Sequence, residues 1–241
     1  MNKDALKNFT SIIEELNNEG ALNDVILIGS FAFFAYQKKY KEIQGSFNTQ
    51  DIDFYVPRSK KPLNKRRNHD LEKLFKEMGY EKELFSSTGS NKPLIKFLKR
   101  DFKIEFLTSQ KRKSGAVPLA HLNITAQPLS YLNLIDEHTE EIEFGDARII
   151  VPRVDVFTFL KYIISLDRKD TEKKKKDLNQ ANIASRLILD IPEIALNFEQ
   201  LLRHVSLSWV KKLVGVIEIE NPLLMEKIRP LFNELKKRKP Q

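Results

Sequence analysis

Asp51 and Asp53 stand two residues apart in the run Asp51-Ile52-Asp53-Phe54-Tyr55-Val56, which ends at Pro57 and alternates polar with apolar as a strand does. Strand side chains point to opposite faces in turn, so Asp51, Asp53 and Tyr55 share one face and Ile52, Phe54 and Val56 the other. Two carboxylates on one side form a hard oxygen clamp that suits magnesium. Such a clamp can hold two ions, which neutralise the charge building on the attacking and leaving oxygens of a phosphoryl centre. A third carboxylate from a neighbouring strand would complete the oxygen set. The candidate is Glu105, which with Lys103 lies on the face opposite Phe102, Ile104 and Phe106, and Asp101 is the fallback.

A second feature precedes the acidic strand. Val25-Ile26-Leu27-Ile28 is a short apolar run of buried-strand character, and it stops at Gly29-Ser30, where a helix begins. The bare backbone N–H groups of a helix start attract anions, glycine lets a phosphate approach the main chain, and the Ser30 hydroxyl can donate to phosphate or cap the helix. Gly29 and Ser30 are therefore candidate triphosphate-binding residues.

These residues need elements to position them. Leu6, Phe9, Ile12, Ile13 and Leu16 predict an amphipathic helix over residues 4–19, and a second helix is expected from Phe31 to about Ile43. His69–Met78 reads as a helix stopped by Gly79. Leu94–Leu98 and Phe102–Leu107 read as a hairpin around Lys99-Arg100-Asp101, and Ile142–Val151 as another pivoting on Gly145-Asp146. After Pro152 the pattern becomes helical, first with Val156, Phe159, Leu160, Ile163 and Ile164. A polar Lys-rich stretch is then expected over 167–177, with helices near 178–189, 193–204, 207–218 and 222–237. The expected fold class is α/β (α+β): a mixed central sheet over residues 1–150 and a helical C-terminal domain over 151–241 that closes over the nucleotide.

Bulk composition permits this reading and removes others. The 241 residues carry 41 Lys plus Arg against 33 Asp plus Glu, a formal charge of +8 that attracts polyanions such as nucleotides or RNA. With no cysteine there is no thiol nucleophile, disulfide framework or Cys-ligated zinc, and His69, His121, His138 and His204 lack ligand spacing. No secretory signal and no membrane-length apolar run is found, so a cytoplasmic location without membrane attachment is expected. Basic side chains also cluster at Lys60, Lys61, Lys65, Arg66 and Arg67, where a charged loop is the ordinary explanation.

The segments Ile26-Leu27-Ile28-Gly29-Ser30 and Thr49-Gln50-Asp51-Ile52-Asp53-Phe54, in that order, resemble the DNA-polymerase-β-like nucleotidyltransferase superfamily. The later block Phe159-Leu160-Lys161-Tyr162 through Arg168 and Lys176-Asp177-Leu178 is similar to the bacterial branch that includes abortive-infection toxin nucleotidyltransferases. The two blocks cover about residues 22–182. The resemblance implies a polymerase-β-like catalytic domain and a nucleoside triphosphate substrate. It also implies Mg2+, two ions, with Mn2+ as an acceptable substitute, held by Asp51, Asp53 and Glu105. Lys161 and Arg168 would contact the triphosphate, with Lys174, Lys175 and Lys176 as further candidates. The acceptor would be a hydroxyl or phosphate, RNA or tRNA being favoured by the basic surface over protein or a small molecule. Membership of that branch would bring an antitoxin partner. The competing expectation is a nucleotide- or RNA-binding module that keeps the fold without turnover.

Overall fold

The amphipathic spacing at the N-terminus yields helix α1 (Lys3–Asn18), which buries Phe9, Ile12, Ile13 and Leu16 as expected. The computed structural model describes residues 3–45, 48–58, 67–86, 93–110 and 115–237. Lys60, Lys61, Lys65 and Arg66 of the basic loop lie outside the described residues. The chain divides into two units, Met1–Ala35 with Ser46–Pro152 and Tyr36–Gly45 with Arg153–Gln241.

In the first unit β1 (Ile26–Ile28) runs into α2 (Gly29–Lys39), and the acidic strand is β2 (Asp51–Tyr55). Helix α3 (Leu71–Glu77) is capped by Asp70, whose carboxylate accepts from Lys73 N at 3.0 Å. The strands β3 (Glu81–Phe85), β4 (Leu94–Lys99) and β5 (Phe102–Ser109) follow, then β6 (Val117–Leu119) and β7 (Ile124–Leu129). The main sheet is ordered β1-β2-β5-β4-β3, with β7 joining β5 and β6 joining β7. It is mixed: β2 is antiparallel to β1 but parallel to β5, and β5 is antiparallel to β4. A separate hairpin pairs β8 (Thr139–Phe144) with β9 (Ala147–Pro152).

One face of this sheet is sealed by aromatic packing. Phe54 stacks on Phe106 with centroids 5.7 Å apart, and Phe75 of α3 covers Phe97 at 4.9 Å and Phe106 at 6.0 Å. Phe9 and Phe31 stack at 4.4 Å, and Phe31 reaches Phe102 at 6.0 Å. Ile52 and Ile104 are fully buried among these strands. Each buried ring contributes about 1.5–3 kcal/mol, which fixes the registers of β2 and β5 and forces their odd-numbered residues to the other, half-open face.

The second unit is built from α4 (Val154–Asp167), α5 (Thr171–Asp190), α6 (Pro192–His204), α7 (Leu207–Glu220) and α8 (Pro222–Lys237). Tyr162 of α4 donates to Asn182 Oδ1 at 2.6 Å, and Asn221 donates to the Tyr162 oxygen and to Ser185 Oγ at 3.0 and 2.7 Å. That network pins α4 and α5 to the α7–α8 junction.

Several expectations are corrected. The Lys-rich stretch is helical, because Asp170 caps α5 by accepting from Glu172 N and Lys173 N, and lysine is a good helix former. α2 ends at Lys39 rather than near Ile43. Strand β3 was not expected: all five of its residues are exposed, so it has no apolar period and is held by its pairing with β4. Among the described residues no helix is long and apolar enough to cross a membrane.

Candidate active site

Registers bring the acidic residues into one row. Asp53 is opposite Ile28 on β1 and opposite Glu105 on β5, while Asp51 is opposite Lys103. Asp51, Asp53, Lys103 and Glu105 are all half-buried, in contrast to their buried even-numbered neighbours. Because Ile28 pairs with Asp53, the next residue, Gly29, sits beneath the aspartate. It adopts φ +69°, and a Cβ built on it would lie 2.5 Å from Asp53 Oδ2. Only glycine leaves this space and accepts this backbone without strain. Ser30, 5% exposed, is buried in the first turn of α2.

Two lysines that composition and motif did not mark complete the row. Lys103 Nζ lies 2.7 Å from Glu105 Oε1 and 3.6 Å from Asp51 Oδ1. Lys96, opposite Glu105 on β4, places its Nζ 2.6 Å from the same Oε1. Burial alone would raise the Glu105 carboxyl, but the hydrogen bonds and charges of Lys103 and Lys96 outweigh it and hold the group below its usual value. Burial would likewise lower Lys103. Its hydrogen bond to Glu105 and the charges of Glu105, Asp51 and Asp53 prevail, so the ammonium is held above its ordinary value. That Asp53 acts on Lys103 as Asp51 does places both aspartates within its field.

Among the described residues, no three His, Asp or Glu side chains stand together as a ready metal-holding group. Asp51 and Asp53 are a hard-oxygen pair on one half-open face, whereas the Glu105 carboxylate faces two ammonium groups. Asp101 is exposed in the β4–β5 turn and lines a cavity of about 330 Å³ with Asp4, Lys7 and Arg100.

The residues of the second unit form their own constellation. Asp177, 2% exposed, accepts from Lys161 Nζ at 2.6 Å and from Arg168 Nε at 2.8 Å. Burial would raise its carboxyl; Lys161 first and Arg168 second reverse that and hold it below the ordinary carboxylate value. Lys161 thus sits in a buried ion pair rather than reaching along the core edge to water. Two cations against one carboxylate leave one positive charge over. Lys175 is exposed and pairs with Glu172 at 3.1 Å.

Residues 7–196 match the family described as Nucleotidyltransferase. The chain belongs to that family. Membership supports a nucleotidyl-transfer role. No curated protein matches the sequence. The chain is also similar to the crystal structure of an antigenic nucleotidyltransferase-like protein from Paracoccidioides brasiliensis, with 13% identity and a TM-score of 0.41 over 88% of this chain and 94% of that one.

Sequence reasoning singled out Asp51, Asp53, Glu105, Gly29 and Ser30, which all lie in the first unit. It missed Lys96 and Lys103. The alternation that selected Glu105 also selected Lys103, and a lysine two residues from the glutamate on the same strand face was the available signal.

Proposed function

We propose that this nucleotidyltransferase moves a nucleoside monophosphate from a nucleoside triphosphate to an acceptor hydroxyl or phosphate and depends on Mg2+. The observation that carries this reading is the Asp53 carboxylate resting over Gly29 at the start of α2, with Asp51 in the same row. The acceptor oxygen, which gives its proton to solvent when it is a hydroxyl, bonds to the α-phosphorus as the bond from that phosphorus to the bridging oxygen breaks, and pyrophosphate leaves.

The donors present fit a divalent ion, since hard carboxylate oxygens are what magnesium selects. Asp51 and Asp53 would hold it, and an ion bound there would offset the charge gathering around the α-phosphate. The chain's own groups do the rest. Gly29 keeps the main chain bare beneath Asp53, so a phosphate oxygen can approach the N–H groups that open α2, and Ser30 belongs to the same turn. Lys161 and Arg168, which Asp177 holds together, and Lys175 are the second unit's candidates for phosphate; arginine offers a fork and lysine a point charge. The basic composition favours RNA as acceptor.

A second reading, a nucleotide-binding module without turnover, is favoured by one observation: Glu105 is engaged by Lys96 and Lys103. The test incubates the chain with α-labelled triphosphates, Mg2+ and cellular RNA or protein, beside Asp53→Asn. Label transferred by the wild type and lost in the variant supports transfer; equal labelling by both removes it.

A further inference from the structure

We infer that Glu105 serves as the anchor of Lys103 rather than as a metal ligand, so that the Lys103 ammonium fills the place of one divalent ion and the acidic face takes a single ion on Asp51 and Asp53. The inference rests on the nucleotidyl-transfer reading above and departs from the three-carboxylate set that the sequence suggests.

The geometry is specific. Glu105 Oε1 stands 2.6 Å from Lys96 Nζ and 2.7 Å from Lys103 Nζ, so its carboxylate is in close ion pairs with both ammonium groups. Lys103 is also 3.6 Å from Asp51 Oδ1, so one ammonium spans the row between the aspartate and the glutamate. All three groups are sheet residues whose registers are set by the aromatic face behind them, so the arrangement is not a chance meeting of long surface side chains. Their side chains are 16–25% exposed at Glu105, Lys96 and Lys103, sheltered enough that the pairing is not washed out by solvent.

Charge counting gives the stoichiometry. Three carboxylates and two ammonium groups leave this face at net −1. One divalent ion brings it to +1, with the triphosphate still to come. A second ion would have to sit against Lys103 and share Glu105 with it, and it would raise the face to +3. Lys103 already supplies a fixed positive charge beside Asp51, where a second ion would otherwise be required to offset phosphate charge. Unlike a metal, it is held covalently by the fold and carries no cost of ion capture.

The experiment counts bound Mn2+ on the full chain, by electron paramagnetic resonance of free ion and by titration calorimetry, with thermal melting as a folding check. Expected are one Mn2+ per chain in the wild type, loss of that ion in Asp53→Asn, and its retention within about threefold in affinity in Glu105→Gln. Lys103→Met should gain a second ion, because Asp51 is released from the ammonium and Glu105 keeps Lys96 alone, while Lys103→Arg should keep the wild-type count. Two ions in the wild type would overturn the inference. So would a loss of about tenfold or more in Glu105→Gln with melting unchanged, since that is the mark of a ligand or its support. A count of one in Lys103→Met would do the same. Mn2+ binding by the wild type that Asp53→Asn leaves untouched, or no binding at all, would instead bring down the divalent-ion reading of Asp51 and Asp53, and this inference with it.

Discussion

A Cβ atom on Gly29 would stand 2.5 Å from Asp53 Oδ2, so the glycine that opens α2 and the aspartate at the centre of β2 occupy one another's space to the limit of contact. The backbone of the first and the carboxylate of the second are positioned by the same β1–β2 register, Ile28 opposite Asp53.

Gly29→Ala should cripple transfer while leaving the fold largely standing. The left-handed backbone at φ +69° costs an alanine on the order of 1 kcal/mol, and the methyl must push the Asp53 carboxylate aside. A displacement of about 1 Å at a reacting centre costs on the order of 100-fold. Thermal melting and steady-state labelling on the same preparation check this; a variant with full activity would show that the close approach has no role.

Asp177→Asn should destabilise the helical unit and weaken triphosphate binding together. Removing the carboxylate leaves Lys161 buried without its anion, which costs about 3–5 kcal/mol when a buried pair is broken on one side. Urea unfolding and nucleotide titration measure the two effects. A variant as stable as the wild type would mean that Lys161 finds water or another partner.

The pH dependence of stability has a definite sign. Asp177 is depressed from 3.8 and Glu105 from 4.5, so each contributes stability that is complete above its ordinary value and is lost as pH falls through the lowered folded value. Melting temperature should therefore hold level down to those ordinary values and drop below them. The acid limb should be shallower in Asp177→Asn and in Glu105→Gln. Identical acid limbs in all three proteins would contradict this.

At the alkaline end the phenols give a separate check. Burial pushes Tyr80 up to about 12, and burial with the hydrogen bond to Asp136 takes Tyr55 higher still. Phenolate absorbance of the folded chain should leave these two groups silent through pH 11. Tyr80→Phe should reduce the stability lost between the ordinary value of 10.0 and about 12, since a raised phenol stabilises the fold below its unfolded value and that stability fades as pH rises.

How far the site can be read from residues alone depends on the range of the interactions involved. Asp51, Asp53 and Glu105 emerge from alternation within single strands, and Gly29-Ser30 from a break between an apolar run and a helix; both are local patterns. The meeting of Lys96 with Glu105 depends on which strand lies beside β5 and in what register, which is settled by the packing of Phe97, Phe106 and Phe75 and leaves no trace in the spacing of the lysine. Asp177 pairs with a residue 16 positions away, beyond any helical period. The start of α5 was hidden for a different reason: a run of lysines resembles a solvated break, and the single cap Asp170 decides in favour of helix. Strand β3 carries no apolar period because neither of its faces is covered.

Nucleotidyl transfer by Asp51 and Asp53 over Gly29 with a divalent ion is measured as pyrophosphate released against label incorporated, from one α-labelled triphosphate and an RNA acceptor. The expected result is equimolar release and incorporation by the wild type, abolished by a chelator and restored by Mg2+. Asp53→Asn should be reduced by at least about 100-fold, a loss of roughly 2.7 kcal/mol or more in transition-state stabilisation. Incorporation that persists in the chelator, or that Asp53→Asn performs as fast as the wild type, would contradict it.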